Sequence, residues 1–164
     1  MTEGRETSPG PRHAARLAAV QALYQIELAA TEAEGTILEF LRHRQGATLE
    51  TETTLQMDGD FFADLVRGAC HRRAEVDERI AGALSPSWRL ERLETVLRAI
   101  LRCGVYELLL RPDVPVRATI NEYVEATHAY FSGEEPKFAN AVLDRIARTL
   151  RREEFEPDPR NGGR

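Results

Sequence analysis

The sequence contains few cysteines, a single lysine and no long apolar run. Two cysteines in 164 residues exclude a disulfide scaffold, and their wide separation excludes a paired zinc motif. No stretch approaches the roughly 20 apolar residues that a membrane helix needs, and the first residues contain no apolar signal core. These absences predict a protein that works in the reducing cytoplasm, away from membranes.

Sequence features typical of enzymes are also missing. The glycines are scattered along the chain rather than gathered into a phosphate-binding loop. The four histidines lie on different segments without the spacing of metal ligands. We therefore expect no catalytic residue, no metal site and no cofactor, and we expect a binding protein rather than an enzyme.

The formal net charge of −5 argues, by itself, against nucleic acid as a partner. However, residues 31–60 contain seven acidic residues and two arginines, which accounts for the whole acidic excess. The rest of the chain is neutral overall and has room for a local basic patch. The basic residues are 21 arginines and Lys137, a bias that codon usage in a GC-rich genome would explain equally well.

Apolar residues recur with a period close to 3.6 along almost the whole chain, and no segment alternates as a strand does. This pattern predicts an all-α protein, a compact bundle of six to seven helices in two packed halves. The breaking sequence Ser85–Trp88 suggests halves of about 11–84 and 85–152, with disordered tails at 1–10 and 153–164. The six clearest predicted helices cover about 11–30, 34–44, 61–84, 90–111, 116–131 and 134–151.

Two places combine positive charge with a feature that binds RNA. Arg12 and Arg16 are four residues apart, so they share one face at the start of the first helix, with His13 between them. Lys137 and Phe138 begin the last helix, where an amine can hold a phosphate and a ring can stack on a base. Both pairs have a plainer explanation, a solvated helix end for the first and core packing of Phe138 for the second.

Four sequence blocks resemble the NusB family of transcription antitermination factors. They occur in the family's order and together span nearly the whole predicted ordered region. The blocks are RLAAVQALY at 16–24, LRAILRCGVYEL at 97–108, DVPVRATINEYVEAT at 113–127 and KFANAVLDRIA at 137–147.

The resemblance implies an all-helical protein that is not an enzyme. Members of the family bind the boxA element of ribosomal RNA leader transcripts as a heterodimer with the ribosomal protein NusE. The complex joins RNA polymerase and suppresses premature, Rho-dependent termination. Some members form homodimers that cover the RNA surface.

The resemblance also assigns roles to individual residues. Arg12, His13 and Arg16 match the arginine-rich RNA-binding segment, although His13 stands where the family commonly has arginine. Lys137 and Phe138 match the lysine–phenylalanine RNA contact. Tyr24 and Arg98 match the region that faces NusE.

Two alternatives to this function remain open from the sequence. One is a helical adaptor that binds only protein, which the net negative charge favours slightly. The other is an RNA-binding accessory subunit of an enzyme that modifies ribosomal RNA.

Overall fold

The computed structural model describes residues 10–46 and 57–156. Within these residues all regular structure is helical, which confirms the predicted fold class. Seven α-helices occur in the described ranges, and they fall into two compact units that divide between His71 and Arg72. The division differs from the predicted one at Ser85–Trp88, because the fourth helix packs within the second unit. Residues 1–9, 47–56 and 157–164 lie outside the described residues, and with them most of the predicted tails at 1–10 and 153–164.

The amino-terminal unit consists of three helices, α1 (Pro11–Ala29), α2 (Ala33–Gly46) and α3 (Gly59–His71), and each packs against the other two. Pro11 occupies the first turn of α1. A backbone N–H at this position would have no acceptor within the helix, so proline, which lacks the N–H, fits there without losing a hydrogen bond. Helix α1 ends at Ala29, and the C-cap residue Ala30, with a φ of 53°, lies in the left-handed region. Small side chains on the buried side of α1 allow the neighbouring helices to approach closely. These residues are Ala15, Ala18, Ala19 and Ala22.

Asp58 caps α3. Its Oδ1 atom accepts a hydrogen bond from the backbone N–H of Phe61 at 3.0 Å, which satisfies one of the free first-turn donors. The backbone N–H of Asp58 also donates to the carbonyl of Pro11 at 3.1 Å. The start of α3 is thereby joined to the start of α1.

The carboxy-terminal unit contains α4 (Arg73–Ala83), α5 (Thr95–Leu110), α6 (Val116–Tyr130) and α7 (Glu135–Leu150). Two short 3-10 turns, Leu90–Arg92 and Arg152–Glu154, precede α5 and follow α7. Helix α5 packs against α4, α6 and α7, and it is buried on nearly every side. It is therefore the central helix of this unit.

Gly104 lets α6 and α7 approach α5 closely. A Cβ atom at this position would lie 3.0 Å from Cδ2 of Leu143 on α7 and 3.3 Å from Cδ2 of Tyr123 on α6. One turn further along α5, the fully buried carboxylate of Glu107 accepts a hydrogen bond from the Tyr123 hydroxyl at 2.8 Å. A buried carboxylate is tolerated only when it has such donors.

Arg151 joins the end of α7 to the end of α5. Its guanidinium is buried and donates to the backbone carbonyls of Glu107, Leu108, Arg111 and Val114. The last carbonyls of a helix have no partner within that helix, so this side chain supplies donors where α5 ends and the next turn begins.

Three predicted boundaries are wrong. The predicted helix 61–84 is two helices separated at Arg72, and the predicted helix 90–111 is a 3-10 turn followed by α5. The predicted tail from 153 begins later, since Glu154 is held in the second 3-10 turn and Phe155 lies under the Arg148 guanidinium, 4.5 Å from the ring centre.

Candidate nucleic-acid interface

The two predicted arginines at the start of α1 lie over the same aromatic ring. The guanidinium carbons of Arg12 and Arg16 are 4.7 and 5.0 Å from the centre of the Phe61 ring. Guanidinium groups are attracted to the negative face of such a ring. Phe61 is therefore a shared aromatic platform that holds two guanidinium groups.

The exposure of these side chains separates their roles. Arg12 and His13 are partly exposed, whereas Arg16 is only 6% exposed. The Asp58 carboxylate, 3.8 Å from Nε of Arg12, adds a negative charge to the same cluster. The cluster thus presents Arg12 to solvent, with Arg16 covered behind it.

Two described acidic residues of segment 31–60, Glu34 and Asp58, pair with arginines within the first unit. Glu34 accepts a two-pronged hydrogen bond from Arg67, with an Nη2–Oε2 distance of 3.0 Å. This bond lowers the pKa of Glu34 and raises the pKa of Arg67. Part of the acidic excess is therefore neutralised locally.

The second predicted pair lies at the start of α7. The side chain of Lys137 is 84% exposed, and its Nζ atom is 3.7 Å from Oε2 of Glu134, which is equally exposed. Phe138 is only half-buried, so core packing does not account for the whole ring. An accessible amine and a partly accessible ring thus occupy adjacent positions.

Phe138 also forms one wall of a groove within the carboxy-terminal unit. Its ring is 5.8 Å from that of Trp88, centre to centre, and the two planes are tilted by 46°. The groove has a volume of about 350 Å³. Its other lining residues include Arg92, Leu93, Leu97, Phe131 and Glu135.

The two residues predicted to face NusE differ in their surroundings. Tyr24, on α1, is exposed, as a partner contact requires. Arg98, on α5, is half-buried, and it donates hydrogen bonds to the carbonyls of Leu93 and Glu91. Arg98 therefore has a structural role in fixing the 3-10 turn before α5.

The structure gathers the predicted RNA-binding residues into one cluster in each unit. Arg12, His13 and Arg16 belong to the first unit, and Lys137 and Phe138 belong to the second. Sequence reasoning missed Phe61 and Trp88. Phe61 looks like an ordinary core residue in the helical pattern, and Trp88 lies in a segment whose serines and proline indicate only a break.

No group of histidine, cysteine or acidic side chains suited to a metal ion occurs in residues 10–46 or 57–156. Over the same residues, none of the helices combines the length and apolar character needed to cross a membrane.

The fold and these clusters define a class of protein, a helical module that places cationic side chains beside aromatic rings, the chemistry that binds single-stranded RNA. The sequence profile of the NusB family matches residues 13–148. The chain belongs to the NusB family, which confirms the family predicted from its four sequence blocks.

Individual relatives support this assignment. The transcription antitermination protein NusB of Maricaulis maris (strain MCS10) is 51% identical over 88% of this chain and 90% of its own length. The structure of T. maritima NusB is similar with a TM-score of 0.73 at 32% identity, covering 90% of this chain and 98% of that one. A crystal structure of antitermination factors NusB and NusE in complex with dsRNA is similar with a TM-score of 0.66 at 26% identity, over 84% and 96% of the two chains.

Proposed function

We propose that this protein is a transcription antitermination factor that binds boxA RNA of ribosomal RNA leader transcripts together with NusE. In this role it joins the RNA polymerase antitermination complex and suppresses premature, Rho-dependent termination. It acts in the cytoplasm and has no enzymatic activity of its own. The observation that carries the RNA-binding part is the highly exposed Lys137 next to the half-buried Phe138.

Both clusters supply positive charge for RNA binding, and the cluster in the second unit also supplies a ring for stacking. Lys137 and Arg12 hold phosphates, because both are accessible cations. His13 lies beside Arg12 at the start of the same helix, while the covered Arg16 shares the Phe61 platform and supports Arg12. Phe138 stacks on a base.

Partner binding is proposed for the exposed side of α1. Tyr24 and Leu28 are one helical turn apart, and both are exposed. An aromatic and an aliphatic side chain on one face suit a protein surface better than an RNA backbone. In the second unit, Arg98 is the other residue proposed to contact NusE, and its hydrogen bonds to the carbonyls of Leu93 and Glu91 hold the turn before α5.

The experiment that tests this function is an RNA-binding measurement with and without the partner. We expect fluorescence anisotropy to show binding of single-stranded boxA RNA that is weak for the protein alone and tighter when NusE is added. An RNA of the same length with a scrambled sequence is the control. Binding of NusE without any binding of boxA RNA would instead support a protein adaptor.

The Asp58 carboxylate should oppose RNA binding, because it competes with phosphate for Arg12. Asp58→Asn keeps an oxygen that can cap α3 and removes the charge. We expect it to tighten RNA binding by about two- to fivefold, the range expected from the loss of an exposed ion pair. The measurement is the dissociation constant at low salt.

Asp60→Asn is the matched control for this change. Asp60 is an exposed residue in the first turn of the same helix, so its substitution removes an equal charge close by. Equal tightening by both substitutions would show that net charge, and not the contact with Arg12, sets the effect.

A further inference from the structure

We propose that Trp88 and Phe138 together hold one unstacked base of the bound RNA, which makes Trp88 a further RNA-binding residue. The inference rests on the proposed function, because it extends the surface that contains Lys137 and Phe138. It adds a residue that neither the sequence pattern nor the family resemblance assigns.

The position of Trp88 suits a stacking platform. Its side chain is 53% exposed, although tryptophan is the largest apolar side chain. Its backbone N–H donates to the carbonyl of Ser85 at 2.9 Å, and the next residue but one, Leu90, is buried. The ring is thus carried on a fixed turn, so little ordering entropy opposes stacking.

The groove beside the two rings has the size and lining of a site for one planar group. The rings of Trp88 and Phe138 are 5.8 Å apart, centre to centre, so they contact each other and together form one aromatic wall on which a base can stack. The volume of about 350 Å³ is near the lower limit of small-ligand pockets, which is roughly 300 Å³. Apolar side chains of Leu93, Leu97 and Phe131 line it as well.

The charges around the groove indicate that a base enters it and a phosphate does not. Three carboxylates, Glu94, Glu134 and Glu135, line the groove against one cation, Arg92. This excess repels a phosphate but can accept hydrogen bonds from the N–H and amino groups of a base. The phosphates then follow Lys137, outside the groove.

Glu135 provides a second observation in favour of a donor at this site. Its Oε2 atom is buried and receives no hydrogen bond from the residues that the structure describes. A buried acceptor without a partner is rare and costly. Because Glu135 also lines the groove, turning its carboxylate toward a bound base would supply the donor that the described residues do not.

The single tryptophan of the chain makes the test direct, because its fluorescence reports on this groove alone. Single-stranded boxA RNA is titrated into the full-length protein while tryptophan emission and RNA anisotropy are recorded. We expect quenching of the emission that saturates at the same RNA concentration as the anisotropy. The same RNA annealed into a duplex should quench less, because its bases are already stacked.

Substitutions then separate stacking from charge. Trp88→Leu should weaken binding by roughly fivefold or more, the scale of one lost base–aromatic stack. Trp88→Phe should restore most of the affinity, and neither variant should change the salt dependence, since no phosphate contact is lost. Tyr130→Leu, which removes an exposed aromatic ring elsewhere in the same unit, is the control.

Two results would overturn the inference without affecting the proposed function. One is saturating anisotropy with unchanged tryptophan emission, and the other is quenching produced by NusE in the absence of RNA. A failure of the wild-type protein to bind RNA by either readout, with or without NusE, would instead overturn the proposed function as well. Should Trp88→Leu fail to fold, the wild-type emission titration still decides.

Discussion

Replacing Arg151 with alanine is expected to lower the free energy of unfolding by about 3 to 5 kcal/mol. The side chain donates hydrogen bonds to four backbone carbonyls, at distances between 2.6 and 3.2 Å, and it is buried. Its loss would remove the guanidinium donor from the Leu108 and Val114 carbonyls, while the Glu107 and Arg111 carbonyls would each keep one backbone N–H donor. Urea unfolding followed by circular dichroism measures the change.

Arg152→Ala is the control, because the neighbouring arginine is exposed. Its effect should stay within about 0.5 kcal/mol. Arg151→Lys should rescue little, since one ammonium group cannot reproduce the planar fork that reaches several carbonyls at once. Equal stabilities of the Arg151 and Arg152 alanine variants would show that solvent replaces the guanidinium at no cost.

The double variant Arg12→Ala, Lys137→Ala should weaken boxA binding by about tenfold or more at low salt. Each lost phosphate contact should also reduce the slope of log affinity against log salt by about 0.7, so the two together reduce it by about 1.4. Anisotropy titrations over a series of salt concentrations, in the presence of NusE, measure both quantities.

A matched double variant removes the same charge elsewhere. Arg42→Ala, Arg117→Ala takes one exposed arginine from α2 and one from α6. We expect this pair to leave the slope nearly unchanged. If both double variants reduce the affinity and the slope alike, binding follows net charge, and the proposed contacts are misplaced.

The helices could be predicted from sequence because apolar periodicity reports directly on a buried face. The break at Arg72 could not, because Ala69 and Val76 are seven residues apart. Seven residues are two turns of a continuous helix, so the apolar pattern passes through the break without a change of phase. Only packing shows that the two sides belong to different cores, since α3 packs with α1 and α2, and α4 with α5 and α7.

The candidate site was predictable to the extent that charge and local spacing define it. Arg12 and Lys137 follow from their positions at helix starts, but the covering of Arg16 depends on Phe61, which is 45 residues away in the sequence. Trp88 and Phe138 are brought together across 50 residues in the same way. Tertiary packing sets contacts of this kind, and local sequence patterns carry no information about them.

The hydrogen bonds of Arg151 affect the order in which the two units can complete folding during synthesis. During translation α5 and α6 leave the ribosome well before Arg151 does, because α7 lies between them in the sequence. Until then, the guanidinium hydrogen bonds at the end of α5 cannot form, and the Glu107 carbonyl has the backbone N–H of Arg111 as its donor. The carboxy-terminal unit therefore completes its structure late in synthesis, whereas the three helices of the amino-terminal unit are all available earlier.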